Sequence, residues 1–260
     1  MASTTKEVVK EIAPLVRVYK DGSVERLDLG SHYVPPSPDR PDSTTSVSSK
    51  DIIISNNPDI SARLYLPNLT QPHQKLPILV YFHGGAFCIG SAFSFFDHRY
   101  LNNLVSQAQV VAVSVEYRLA PEHPLPAAYE DCWAALQWVA SHYEGDSNNK
   151  EPWLSNYGDF NRLYLGGDSA GGNIGHNIAM RAGEEGLSWG VKICGAILVQ
   201  PYFWGSIPIG SESGEKNFQY LIWEFSYPSA PGGIDNVLVN PVGPGKPSLA
   251  KLGCCRLLEK

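Results

Sequence analysis

The stretch Gly167-Asp168-Ser169-Ala170-Gly171 sets one serine between two glycines, directly after the apolar run in RLYLGGDS. A serine hydroxyl does chemistry when the chain presents it, activates it and stabilises the charge it creates. Presentation is legible here. In a sharp strand-to-helix turn the residues two before and two after the serine pass close together, so glycine at 167 and 171 relieves a clash of Cβ atoms. The N–H of Ala170, at the start of the following helix, then faces negative charge developing on a bound oxygen. Asp168 is read as a complement to the helix dipole and an acceptor for backbone N–H groups, with no part in the chemistry.

A second glycine pair lies in HGGAF, residues 83–87, after the strongest apolar run of the chain, LPILVYF. Adjacent glycines let a backbone swing its N–H groups toward a substrate oxygen, so Gly84 and Gly85 are candidates to complete an oxyanion hole with Ala170. On local sequence alone, a glycine turn closing a strand explains the pair equally well.

These groups need a scaffold. From Asp51 onward, apolar runs (DIIIS, ARLYLP, LPILVYF, VVAVSVEYR, RLYLGGDS, VKICGAILV) alternate with helical stretches (FDHRYLNNLVSQA, AAYEDCWAALQWVASHY, AGGNIGHNIAMRAG). Ala128, Cys132, Ala135, Leu136 and Val139 recur at helical spacing on one face. Near-continuous Val/Ile/Leu runs separated by helices predict an α/β fold, a mostly parallel sheet covered by helices on both faces.

The expectation is one domain over 1–260, with 1–45 as N-terminal cap and connector. That cap reads as a short amphipathic helix, a hairpin turning at Asp21-Gly22, and a Pro/Ser-rich connector. Residues 204–235 form an aromatic segment with Phe218, Tyr220, Trp223, Phe225 and Tyr227, read as core anchors that can also wall a pocket.

Composition narrows the function. A net charge of −6 leaves no basic surface for nucleic acid or an anionic membrane. The longest apolar stretches are too short to cross a bilayer. Five cysteines without C-x-x-C spacing are read as reduced thiols, with no metal site and no cofactor. The first fifteen residues lack a continuous apolar core, so a cytoplasmic protein is expected.

HGGAF, VEYRLAPEHPLPAAYEDCWAALQWV and GGDSAGGNIGHNIA, in this order, resemble the plant carboxylesterases of the hormone-sensitive-lipase branch of the α/β-hydrolase family. KEIAPLVRVYKDGSVERL and APGGIDNVLVNPVGPGKPSLAKLGC extend the resemblance over almost the whole chain. HGGAFCIGSAFSFFDHRYLNNL is similar to the 2-hydroxyisoflavanone dehydratases, relatives that eliminate water on the same fold. The resemblance implies that Ser169 is the nucleophile, that Gly84, Gly85 and Ala170 supply oxyanion donors, and that His83 braces the loop without acting as base. Several of the dehydratases carry threonine at the nucleophile position, so serine here favours ester hydrolysis.

In this fold the triad runs Ser, then Asp or Glu, then His. Only His176 follows Ser169, seven residues along the same helix and about 10 Å down its axis, too far to serve as base. His32, His73, His98, His123 and His142 lie upstream on segments read as exposed or capping. Asp235 is the one aspartate after Ser169, and GGIDNVL resembles a loop of the family and not its catalytic position. By resemblance, CCRLL begins a strand that in relatives leads to the triad Asp and His, so the chain is expected to be truncated there. Loss of triad members costs about 10⁶ in kcat, so little hydrolysis is expected from residues 1–260. Three functions remain open: a serine carboxylesterase on small esters, a dehydratase on a flavonoid-like substrate, and a non-catalytic small-molecule receptor of the same fold. Glu122 and Arg118 are expected to form a buried ion pair.

Overall fold

The computed structural model describes residues 6–27, 32–71, 73–143, 150–210, 212, 217–243, 245–254 and 256–259. Its centre is a seven-stranded sheet. The strands are β4 (Ser48–Asn56), β5 (Asp59–Leu66), β6 (Leu76–Phe82), β7 (Val111–Glu116), β8 (Gly158–Asp168), β9 (Ile193–Val199) and β10 (Leu257–Glu259). Their order across the sheet is β10-β9-β8-β6-β7-β5-β4. From β7 to β10 neighbouring strands are parallel, as the apolar runs predict. The β4–β5 pair is antiparallel, joined by a tight turn that leaves no room for a crossover, and β5 also pairs antiparallel with β7.

β6 is the central element. Its residues are buried on both faces, which explains why it reads as an unbroken apolar run and not as an alternation. Leu79 and Tyr81 face a core shared with Leu101 and Val105 of helix α1 (Phe95–Ala108). Ile78, Val80 and Phe82 face the larger core, shared with helices α2 (Ala127–Ala140) and α4 (Ala170–Glu185). Helix α3 (Pro152–Tyr157) leads directly into β8.

Two expectations fail here. The residues read as a short N-terminal amphipathic helix form β1 (Val8–Ile12), which pairs with β2 (Val16–Tyr19); β2 pairs in turn with β3 (Val24–Arg26) around the Asp21-Gly22 turn. The β-branched pair Val8-Val9 favours strand, and a turn at Ala13-Pro14 brings β2 alongside. Arg118 does not pair with Glu122. It pairs with the fully buried carboxylate of Asp131 at 2.7 Å, while Glu122 pairs with Arg26 at 2.6 Å. Both partners come from segments that the local pattern around 118–122 does not reveal.

Helix α5 (Phe218–Ser226) lies in the aromatic segment. Ile222, Trp223 and Phe225 are buried, whereas Phe218 and Leu221 are exposed. Cys88, Cys132 and Cys194 are free thiols, and Cys255 lies outside the described residues. Among the described residues no helix is long and apolar enough to cross a membrane.

Candidate active site

β6 and β8 are parallel neighbours with Phe82 opposite Gly167, so the two glycine-rich loops leave the sheet side by side. Contact between them is tight. A Cβ on Gly171 would lie 2.0 Å from the Phe82 carbonyl oxygen, and one on Gly167 would lie 2.4 Å from the Gly171 carbonyl oxygen. Glycine is therefore required at both positions flanking the serine.

Ser169 sits between β8 and α4 at φ 49° and ψ −114°, backbone geometry that costs about 1–3 kcal/mol for a residue with a side chain. Three hydrogen bonds hold it there. Its N–H donates to Val199 O at 2.9 Å, and its carbonyl accepts from Tyr202 N–H at 2.9 Å and Asn173 N–H at 3.0 Å. Asn173 also donates through its side chain to the carbonyls of Tyr202 and Leu238, which ties the loop after β9 to the start of α4. Ser169 is half-buried, and Ala170 beside it is fully buried as the first residue of α4.

The second loop is strained over a longer stretch. Gly85, Ala86, Phe87 and Gly90 all have positive φ, two of them with side chains that disfavour it by about 1–2 kcal/mol each. Burial offsets this. Phe87 packs among Tyr129, Tyr202 and Trp223 with ring centroids 5.6–6.2 Å apart, worth about 1.5–3 kcal/mol. His83 is buried, stacks on Tyr117 at 4.2 Å, and its Nδ1 lies 2.6 Å from the Gly84 carbonyl, a position from which the ring holds the loop. The Tyr117 hydroxyl donates to His83 O at 2.6 Å.

Asp168 has a partner that the sequence does not reveal. Its Oδ1 accepts from Tyr81 OH at 2.8 Å and from the Gly84 N–H at 3.0 Å, joining the two loops through a charged acceptor. The Gly84 N–H is thereby engaged. Among the described residues, the N–H groups of Gly85 and Ala170 have no acceptor. A cavity of about 400 Å³ lies beside this junction, lined by Tyr81, Gly84, Gly85, Asp97, Tyr100 and Asp168 among others. Burial raises the Asp97 carboxyl and the Tyr81 hydroxyl above their ordinary values.

No histidine among the described residues hydrogen-bonds to Ser169. His176 points away, edge-on to Phe203 at 5.1 Å, with its basicity lowered by burial. His32, His73 and His123 are exposed, as expected. His98 and His142 are not: His98 joins a network with Arg63, Tyr65 and Asn102, and His142 is buried with Nδ1 2.7 Å from Trp138 O. Asp235 is held among Ser206, Asn240 and Lys246, where the Ser206 hydrogen bonds keep its carboxyl below the ordinary value. Among the described residues no cluster of His, Cys, Asp or Glu could hold a metal ion.

Residues 79–247 match a family model described as an alpha/beta hydrolase fold. A 2-hydroxyisoflavanone dehydratase of Glycyrrhiza echinata is 58% identical over 261 residues, covering 98% of this chain and 79% of that protein. A probable carboxylesterase 2 of Arabidopsis thaliana is 46% identical over 261 residues, covering 99% of this chain and 79% of that protein. Among solved structures, the esterase LipW from Mycobacterium marinum superposes with a TM-score of 0.63 at 25% identity; the match covers 83% of this chain and 63% of the other, under two thirds of its length. With sheet order, elbow and relatives in agreement, the chain belongs to the α/β-hydrolase fold family, among the plant 2-hydroxyisoflavanone dehydratases and carboxylesterases.

Proposed function

We propose that Ser169 is the nucleophile of a carboxylesterase site for small esters. The observation that carries this reading is the strained, three-bond anchorage of Ser169 at the head of α4, beside a loop whose Gly85 N–H has no acceptor among the described residues. Attack of Oγ on an ester carbonyl forms a C–O bond and a tetrahedral oxyanion, which the N–H groups of Gly85 and Ala170 stabilise. The Oγ proton passes to solvent or an added base; collapse breaks the ester C–O bond and expels the leaving oxygen, which takes up a proton as the alcohol, and water then hydrolyses the acyl-enzyme to the acid. Gly84, offered by the sequence as a further donor, has its N–H held by Asp168 instead. His83 braces the loop.

Among the described residues no histidine hydrogen-bonds to Ser169, so an added base such as imidazole should speed its attack on an ester. The 58% identity to a 2-hydroxyisoflavanone dehydratase favours a second reading, elimination of water from a flavonoid-like substrate whose carbonyl is polarised by the same N–H groups. Two assays separate them. A fluorophosphonate ester, followed by peptide mass mapping, labels Ser169 if it is the nucleophile; no adduct there, with isoflavone formation from a 2-hydroxyisoflavanone, would favour the dehydratase. Binding of a small ligand without labelling or turnover would instead point to a receptor.

A further inference from the structure

The carbonyl groups of residues 83–88 all accept hydrogen bonds, and four of the donors lie far along the chain. His83 O accepts from Tyr117 OH, and Gly84 O from the His83 ring. Gly85 O accepts from the N–H groups of Cys88 and Ile89, and Phe87 O from Ala120 N–H. Ala86 O accepts from Ser226 Oγ at the end of α5, and Cys88 O from Arg26 Nε at 2.7 Å. Arg26 is the one charged side-chain donor in this set, and it arrives from β3.

We propose that Arg26 is a positioning residue for the oxyanion loop, acting through the peptide between Cys88 and Ile89. In a trans peptide C=O and N–H point in opposite directions. Holding Cys88 O outward therefore aims the Ile89 N–H inward, where it donates to Gly85 O at 2.9 Å. That bond fixes the peptide following Gly85 and with it the loop that carries the free Gly85 N–H. Arg26 also donates to Ala120 O at 3.1 Å and pairs with both oxygens of Glu122, while Ala120 N–H holds Phe87 O. The N-terminal sheet, the 117–122 segment and the oxyanion loop thus lock through one guanidinium. Planar, multi-donor geometry of this kind suits Arg and not Lys.

The catalytic meaning of this assignment rests on the esterase reading, so the test has an arm that does not. Amide hydrogen exchange is followed across residues 83–90 in the wild type, Arg26→Gln, Arg26→Lys and Glu122→Gln. Loss of the charged donor in Arg26→Gln should raise exchange at Cys88 and Ile89 by about tenfold, with β8 and α4 unchanged. Arg26→Lys should fall between, and Glu122→Gln, which keeps the bond to Cys88 O, should match the wild type over the loop. Unchanged loop exchange in Arg26→Gln, with only residues 8–26 loosened, would make Arg26 a hairpin anchor and overturn the proposal. If Arg26→Gln does not fold, Arg26→Lys decides by the same comparison. In the second arm, Ser169-dependent release of p-nitrophenol from p-nitrophenyl butyrate, with imidazole as added base, should lose kcat and keep KM in Arg26→Gln. A wild type without Ser169-dependent release refutes the esterase reading and leaves the exchange result standing.

Discussion

Gly171→Ala tests whether the elbow is held by direct contact between its backbone and β6. In an ordinary helix this exchange gains about 1 kcal/mol from helix propensity. Here the new Cβ would sit 2.0 Å from Phe82 O and 2.5 Å from His83 O, where real Cβ atoms essentially never come within 3.0 Å. Both opposing atoms are main chain, anchored in a central strand, so the helix or the strand end must shift. Overpacking of this kind costs about 3 kcal/mol, and subtracting the propensity gain leaves about 2 kcal/mol of destabilisation. For a chain of this size that lowers the melting temperature by about 4–8 °C. Gly175→Ala, one turn further along α4, is the control: its nearest neighbour is the side-chain tip of Leu198 at 3.1 Å, which can yield, so its melting temperature should stay within about 2 °C of wild type. Thermal unfolding by circular dichroism reads both. A Gly171→Ala protein that melts with the wild type would refute the close approach of the two loops.

Removing Arg118 leaves the fully buried Asp131 carboxylate without its ion-pair partner, so Arg118→Ala should cost about 3–5 kcal/mol in urea unfolding, far more than the expected ion pair with exposed Glu122 would. Asp168→Ala strips the acceptor from Tyr81 OH and Gly84 N–H, and should cost about 1–3 kcal/mol, with Tyr81→Phe costing less. Burial and the neighbouring Arg63 lower the basicity of His98, so the folded state resists a proton that the unfolded chain accepts below about pH 6.5. Its stabilising contribution is present above that pH and lost as pH falls, so His98→Gln should flatten the decline in melting temperature between about pH 7 and pH 5.

The parts of the fold that were legible in sequence are those set by neighbours along the chain. Gly167 and Gly171 flank Ser169 closely enough for their contact to be deduced from spacing, and the unbroken apolar run of β6 announces a strand buried on both faces. What was not legible depends on distant partners. The pattern at 118–122 offers Glu122 as a mate for Arg118, yet the fold brings Asp131 and Arg26 to those places. Asp168 reads as a helix-head carboxylate, and only the adjacency of β6 and β8 turns it toward Gly84. The mixed apolar and charged run Val8–Ile12 suits an exposed strand as well as a helix, and pairing with β2 decided for strand.

The most direct test of Ser169 as the nucleophile is p-nitrophenyl butyrate turnover by residues 1–260 and by Ser169→Ala, titrated with imidazole. The difference between the two proteins should be small without imidazole and should grow as imidazole accepts the Ser169 proton. Identical rates at every imidazole concentration would contradict the nucleophile assignment, and a large Ser169-dependent rate without imidazole would show that a base already reaches the hydroxyl.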